Sequence, residues 1–486
     1  MNRPIRRLAT VVVVMFLALM MGATSVQFFQ ADRLNADPRN VRTVYREYGR
    51  DRGPIVVAGE AVARSEPVDD NYEYQRVYPH GELYGHVTGY FSTAHNRLTG
   101  LEMSENEVLN GTSSSLLLQR IQTLVTGNQP QGGAIELTID PNAQRAAADA
   151  LGDRRGAVVA LDPETGAILS MVSTPGFDPN ALATHVREDA DGAYERYTSQ
   201  EAGSPLTNRA IGGDQYPPGS SFKVITAAAA LESGEVAGPD AMVPGPTTLD
   251  LPQTSHVIYN PERLPCGDGS GEVTLTQAFR QSCNTTFGQL SMDMGEDTLR
   301  EQAEAFGFGE DLDVPQSVTP SRFPDDPTPP ELAMSGIGQA SVRVTPMQMA
   351  MVAAAVANDG TQMQPYLVAR ELTADLEEVS STQPRTLRES VSPETADALS
   401  TMMVEVVENG TGTAAQIPGV TVAGKTGTAQ VSEGVEAHSW FIGFADAGDG
   451  PEVAVAALVE NGGDGGSTAG PIAREVMQAV LSGGSG

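Results

Sequence analysis

Apolar residues are spread along this chain in three different ways, and each predicts a different kind of structure. Residues 8–29 form a run with no charged side chain. As a helix such a run is about 30 Å long, enough to cross the hydrocarbon core of a bilayer. Arg3, Arg6 and Arg7 precede it, which keeps the N-terminus cytoplasmic and exports everything after Asp32. The competing reading is a cleaved signal peptide. It is the weaker one, because Ala23 has the bulky Met21 two positions before it.

Residues 31–131 are irregular, with short candidate strands and many polar turns. Arg52-Gly53-Pro54 reads as a turn feeding a strand at Ile55-Val56-Val57. Pro130, Gly132 and Gly133 mark a boundary. Beyond it the signals sharpen. Asp140-Pro141 is an N-cap and first-turn signal for a helix running to Leu151. Residues 156–161 are a continuous apolar strand, Pro163-Glu164-Thr165-Gly166 a turn, and residues 167–172 the returning strand. A mainly helical middle follows. One helical run starts after Pro217-Pro218-Gly219, another covers 275–281, and a third is capped by Thr345-Pro346 and stops near Asp359-Gly360. Three strands at 422–431, 438–445 and 452–459 precede a closing helix at 471–481. Strands at both ends with helices between them predict one α/β domain whose sheet joins the two halves of the sequence. The chain thus divides into an anchor over 1–31, an N-terminal domain over 32–150 and a larger domain over 151–486.

Charge narrows the function classes. The 62 Asp and Glu residues outweigh 30 Lys and Arg, for a net charge of -32. That excludes the basic face a nucleic-acid binder needs, and argues against docking on anionic lipid. So acidic an exterior suits either a salt-adapted protein or simply a soluble one. The two cysteines, Cys266 and Cys283, fall in the exported part, where a disulfide is permitted. They are too few for a structural zinc site, and no His pair stands at metal spacing, so no metal is expected. A bridge and two unpaired thiols both remain open.

Lysine usage carries the chemistry. All but two of the basic residues are arginine, and the two lysines are Lys223 and Lys425. A guanidinium cannot serve as a base, whereas an ammonium can lose its proton when burial or a nearby cation lowers its pKa. Lys223 closes Ser220-Ser221-Phe222-Lys223 at a predicted helix start, one turn from the Ser220 hydroxyl. The helix dipole there favours developing negative charge. By itself this could be a capping serine with a surface lysine, although Phe222-Lys223-Val224-Ile225 has no charged neighbour. Ser282-Cys283-Asn284 follows the helical run at 275–281 and could be an ordinary polar loop; the same spacing recurs at Ser104-Glu105-Asn106. Lys425-Thr426-Gly427-Thr428 lies on a predicted strand. There Gly427 admits close backbone approach, and the hydroxyls of Thr426 and Thr428 can bind a carboxylate beside Lys425.

Ser-x-x-Lys, Ser-x-Asn and Lys-Thr-Gly in this order resemble the penicillin-binding protein and serine β-lactamase superfamily. The resemblance extends over residues 156–179, Gly336-Ile337-Gly338-Gln339, Val344-Thr345-Pro346 and His438-Ser439-Trp440-Phe441. In the N-terminal part, Arg52-Gly53-x-Ile55 and Gly100-Leu101-Glu102 resemble the pedestal, or dimerisation-type, domain of class B penicillin-binding proteins. The match covers nearly the whole chain. Its Arg-rich composition, short pedestal and paired cysteines are most similar to the actinobacterial penicillin-binding protein A group. His438 and Trp440 are expected to be strand and core residues rather than catalysts.

The resemblance implies an antiparallel sheet between helical regions and a single-pass membrane enzyme that cross-links peptidoglycan stem peptides. No cofactor is implied. Ser220 is the implied nucleophile, with Lys223, Ser282, Asn284 and Lys425 as its catalytic partners. Thr426, Gly427 and Thr428 hold the substrate, and the backbone N–H groups of Ser220 and Thr428 form the oxyanion hole. The implied ligands are a D-Ala-D-Ala donor, an amine acceptor and β-lactams. A polytopic glycosyltransferase and division-complex proteins are the implied partners. The Ω-loop Glu-x-x-Leu-Asn of class A β-lactamases is missing after Ser282, and Glu107-Val108-Leu109-Asn110 lies before the nucleophile, so fast deacylation by water is not expected. Segment 32–150 is short for an added glycosyltransferase domain, and neither a Glu-Asp-x-x-Phe motif nor accessory C-terminal repeats are expected. The rival readings are a D,D-carboxypeptidase and a scaffold or β-lactam sensor reusing the fold.

Overall fold

The structure, a computed structural model, describes residues 2–24, 49–116, 131–213, 215–432, 434–448 and 451–483. Helix α1 (Asn2–Thr24) is long and apolar enough to cross a membrane over Ile5–Gly22. The last residues of the expected span, 25–29, lie outside the described residues, as do Asp32 and Pro130.

Strands β1 (Ile55–Val57), β2 (Glu60–Pro67), β3 (Tyr74–Val77) and β4 (Ala134–Leu137) come next, then helix α2 (Pro141–Leu151). They are followed by the hairpin of β5 (Gly156–Leu161) and β6 (Ile168–Thr174). The middle supplies α3 (Lys223–Glu232), α4 (Leu275–Arg280), α5 (Asn284–Ala305) and α6 (Pro346–Ala357). Strands β7 (Val368–Leu372) and β8 (Glu378–Ser381) lead to α7 (Pro393–Asn409). The chain closes with β9 (Thr421–Ala429), β10 (His438–Asp446), β11 (Pro451–Val459) and α8 (Gly465–Gly483).

Local chemistry accounts for the boundaries. The Asp140 carboxylate caps α2 by accepting from the Asn142 and Ala143 N–H groups at 2.7 and 2.9 Å, with Pro141 at a position whose N–H would be orphaned anyway. Thr345 caps α6 in the same way, accepting from Gln348 N–H at 3.2 Å. Helix α8 begins six residues before the expected Pro471. Its opening glycines look like a loop in sequence, but they are needed for contact: a Cβ on Gly465 would sit 2.3 Å from the Gly427 carbonyl oxygen.

The catalytic-type sheet has five antiparallel strands in the order β9-β10-β11-β5-β6. It is covered on both faces, which is why β5 reads as an unbroken apolar run. Val158 and Ala160 join Ala143, Ala147 and Leu151 of α2 and Ile472 and Val476 of α8 in one core cluster. Ala157 and Val159 face the other cluster, with Ile225 of α3 and Met349, Val352 and Val356 of α6. Helix α6 is buried nearly all round, as its lack of a polar face requires.

A second sheet has six strands in the order β8-β7-β4-β1-β2-β3. Strands β7 and β8 come from the C-terminal half of the chain; β7 pairs onto β4, and β8 pairs onto β7 at the edge. One buried ion cluster ties this region together. Glu102 accepts from Arg52 Nε at 2.5 Å, from Arg76 Nε at 2.6 Å and from the Tyr78 hydroxyl at 3.1 Å. Burial opposes ionisation of Glu102, but the two guanidiniums outweigh it and hold the carboxyl below its ordinary range. Arg52-Gly53 and Gly100-Leu101-Glu102 are thereby one structural unit. Asn106 of the out-of-order Ser104-Glu105-Asn106 also belongs here, accepting from Arg52 Nη1 at 2.7 Å.

Candidate active site

Three chain segments converge beside the free edge of β9. The first is the single 3₁₀ turn Gly219–Phe222 that feeds α3. Its two serines differ sharply. Ser221 is buried and its hydroxyl donates to the Pro218 carbonyl at 2.7 Å. Ser220 is half-buried, and its hydroxyl makes no hydrogen bond among the described residues. The turn is pinned from two sides: Gly219 N–H donates to the Gly338 carbonyl at 2.9 Å, and Trp440 Nε1 donates to the Pro217 carbonyl at 3.0 Å.

Lys223, the first residue of α3, is fully buried. Its Nζ lies 2.7 Å from the Ser282 carbonyl oxygen, 2.7 Å from Asn284 Oδ1 and 3.1 Å from Ser282 Oγ. The expected one-turn pairing with Ser220 is therefore not the one formed. A carbonyl and an amide oxygen on the next segment offer stronger acceptors than a hydroxyl.

That segment, between α4 and α5, is the second element. Ser282 is buried with φ 57, a left-handed conformation rare for serine. Cys283 follows at the N-cap of α5 and is joined to Cys266 by a disulfide with Cα atoms 5.8 Å apart. Asn284 Nδ2 donates to the Tyr259 carbonyl at 2.9 Å.

The third element is β9. Lys425 is fully buried, and its Nζ donates to Ser282 Oγ at 3.0 Å and to its neighbour's carbonyl, Thr426 O, at 3.2 Å. Gly427 lets the strand approach the Gly219–Phe222 turn, since a Cβ there would lie 2.7 Å from the Pro218 oxygen. Thr428 is exposed and its hydroxyl oxygen accepts weakly from Gly465 N–H at 3.4 Å. Thr426 faces Thr411, the two hydroxyl oxygens being 2.6 Å apart. Sequence reasoning missed Thr411; its one signal was Gly410-Thr411-Gly412, a hydroxyl between two glycines just before the strand.

The Ser282 hydroxyl is thus held by Lys223 and Lys425, and Asn284 joins the group through Lys223; the Ser220 hydroxyl makes no hydrogen bond to them. Among the described residues, no carboxylate hydrogen-bonds to either lysine. Each amine sits 5.6 Å from an aromatic ring instead, Lys223 over Phe287 and Lys425 over Phe279. Burial, and after it the Lys425 charge, pushes Lys223 well below the ordinary lysine pKa. Burial lowers Lys425 from 10.5 to about 7. The Lys425 charge adds to burial in favouring the neutral form of Lys223. A neutral Lys223 has two N–H groups and a lone pair. The N–H groups match Ser282 O and Asn284 Oδ1, which leaves the lone pair free to take a proton.

Of the remaining residues singled out in the sequence, Trp440 is a fully buried core residue, and His438 Nδ1 accepts from Asn461 N–H at 3.0 Å. A cleft of about 390 Å³ between Glu105, Asp313, Glu371 and Arg385 shares no residue with this constellation.

Comparison with known proteins agrees with the geometry. Residues 156–478 match the penicillin binding protein transpeptidase domain family, and residues 52–135 match the penicillin binding protein A dimerisation domain family. The peptidoglycan D,D-transpeptidase PbpA of Mycolicibacterium smegmatis is 43% identical, with 100% of both chains covered. The PbpA of Mycobacterium tuberculosis is 42% identical over 99% of this chain and 100% of its own. The solved structure of penicillin-binding protein A from M. tuberculosis as a ceftriaxone acyl-enzyme complex superposes with a TM-score of 0.85, covering 90% of this chain and 100% of that one at 42% identity. With three motifs gathered on one hydroxyl and the family match spanning most of its length, the chain belongs to the class B penicillin-binding protein transpeptidases.

Proposed function

We propose that this protein is a membrane-anchored serine D,D-transpeptidase that cross-links peptidoglycan stem peptides and is acylated by β-lactams. The observation that carries the reading is the Ser282 hydroxyl held between two buried lysines. Neutral Lys223 takes the Ser220 proton as Oγ attacks the penultimate D-Ala carbonyl. The backbone N–H groups of Ser220 and Thr428 hold the oxyanion. Ser282 relays a proton from Lys223 to the departing D-Ala nitrogen, and the ester on Ser220 remains. Asn284 holds the donor amide, while Lys425, Thr426 and Thr428 receive its terminal carboxylate. An amine from a second stem peptide then attacks the ester, returning the proton to Ser220 and completing the cross-link.

Helix α1 anchors the protein, with Arg3, Arg6 and Arg7 on the cytoplasmic side and residues after Asp32 outside. Segment 32–150 acts as a pedestal that docks a polytopic glycosyltransferase, and 151–486 carries the chemistry. Labelling with a fluorescent penicillin and mapping the modified peptide tests the reading. The label should sit on Ser220 and vanish in Ser220→Ala. Label on Ser221 or Ser282 would overturn the assignment.

A further inference from the structure

We propose that Thr411 is a positioning residue for recognition of the donor carboxylate, acting through the hydroxyl of Thr426; this rests on the transpeptidase reading above. Thr411 follows α7 directly and lies outside the three motifs. Its Oγ1 is 2.6 Å from Thr426 Oγ1, inside the normal range for an O–H···O bond. Thr426 makes no other side-chain hydrogen bond among the described residues, so Thr411 alone governs its rotamer and proton. The supporting backbone is itself fixed. Gly410 and Gly412 N–H groups both donate to the Val406 carbonyl, at 3.1 and 2.9 Å, and the first turn of α8 packs against the Thr411 carbonyl.

Proton counting assigns the direction. The pair holds two hydroxyl protons and uses one internally. When an anion approaches β9, the arrangement with Thr411 donating to Thr426 leaves the Thr426 proton pointing outward. Donation into Thr426 also polarises its O–H bond, and chained hydrogen bonds of this kind strengthen one another. Thr411 therefore makes Thr426 a better and better-aimed donor to a carboxylate, and it gives nothing to a donor that lacks one.

The test uses the full-length protein in detergent and two thioester acyl donors, an acyl-D-alanyl thioglycolate and its carboxamide, with thiol release as the readout. The ratio of kcat/KM for carboxylate over carboxamide is the selectivity. Thr411→Val should lower that ratio roughly three- to tenfold, the worth of one ordinary hydrogen bond, and leave the carboxamide rate alone. Thr411→Ser should restore it. Adding Thr411→Val to Thr426→Val should cost nothing further, because the two act as one unit. An unchanged ratio in Thr411→Val, with Thr426→Val lowering it, would overturn the role of Thr411 and leave the transpeptidase reading standing. An equal loss on both donors would reduce Thr411 to a structural part. If neither variant changed the ratio, the carboxylate site on β9 itself would be wrong. Thr411→Ala, read the same way, serves if the valine variant does not fold.

Discussion

The pH dependence of acylation tests the two-lysine site most directly. In the proposed mechanism, attack by Ser220 needs Lys223 neutral, and recognition of a carboxylate needs Lys425 charged. Burial, and after it the Lys425 charge, holds Lys223 well below its ordinary pKa and favours its neutral form. Lys425 titrates at about 7 instead of 10.5, a displacement worth about 5 kcal/mol against the charged form. In the free enzyme the cation is therefore lost as pH rises through 7. The second-order acylation constant should fall above that point, approaching tenfold per pH unit if the charge is obligatory. A bound carboxylate opposes the loss. At about 4 Å and an effective dielectric near 20 it returns about 4 kcal/mol, which moves the Lys425 titration back toward its ordinary range. The limiting first-order constant should thus stay flat through the range where the second-order constant declines. Stopped-flow acylation by a chromogenic cephalosporin between pH 5.5 and 9.5 separates the two constants. Lys425→Arg, whose guanidinium does not titrate, should erase the alkaline limb even if its absolute rate is lower. A wild-type second-order constant that is flat to pH 9 would refute the reasoning, because it would mean that Lys425 stays charged or is not needed.

Other outcomes follow from the same geometry. Lys223→Arg keeps a cation but cannot accept a proton, so acylation should collapse by several orders of magnitude; near-wild-type labelling by fluorescent penicillin would exclude the general base. With no carboxylate hydrogen-bonded to either lysine among the described residues, the penicilloyl-enzyme should outlast a catalytic cycle many times over, and rapid β-lactam hydrolysis by the purified protein would contradict this. Reducing Cys266–Cys283 removes a cross-link over 17 residues that is worth about 3 kcal/mol in the chain-entropy model. Because the bridge ends between Ser282 and Asn284, mild reduction should slow acylation before the thermal unfolding midpoint collapses; equal rates for reduced and oxidised protein would show that the bridge only stabilises.

Features that depend on neighbours in sequence were readable in advance. Asp140-Pro141 and Thr345-Pro346 announce helices because an N-cap acts within one turn. The apolar run at 156–161 announces a strand buried on both faces. The three motifs were readable because their order is itself a pattern. Features that depend on distant partners were not readable. Strands β7 and β8 carried no signal of their own, since the partner onto which β7 pairs, β4, lies far upstream. Nothing near Lys223 indicates that its amine binds Ser282 and Asn284 rather than Ser220, because the choice is made when α5 packs beside α3. Thr411 looked like a loop residue between glycines, and only the fold brings it to Thr426. The glycines opening α8 argue against a helix locally, and tertiary contact with Gly427 overrides them.

The two sheets also set the order in which the chain can fold. Gly156 pairs with Val459, and Ala134 pairs with Leu372. When only the N-terminal half has been synthesised, the β5–β6 hairpin has no β11 to cover its edge, and β4 has no β7. The first edge stays open until the chain is nearly complete, and the second until β7 has been made. Such late, long-range pairing is slow and leaves unpaired strands available to other chains. This protein cannot mature one segment at a time from its N-terminus. Its core sheet is closed by its own C-terminal strands.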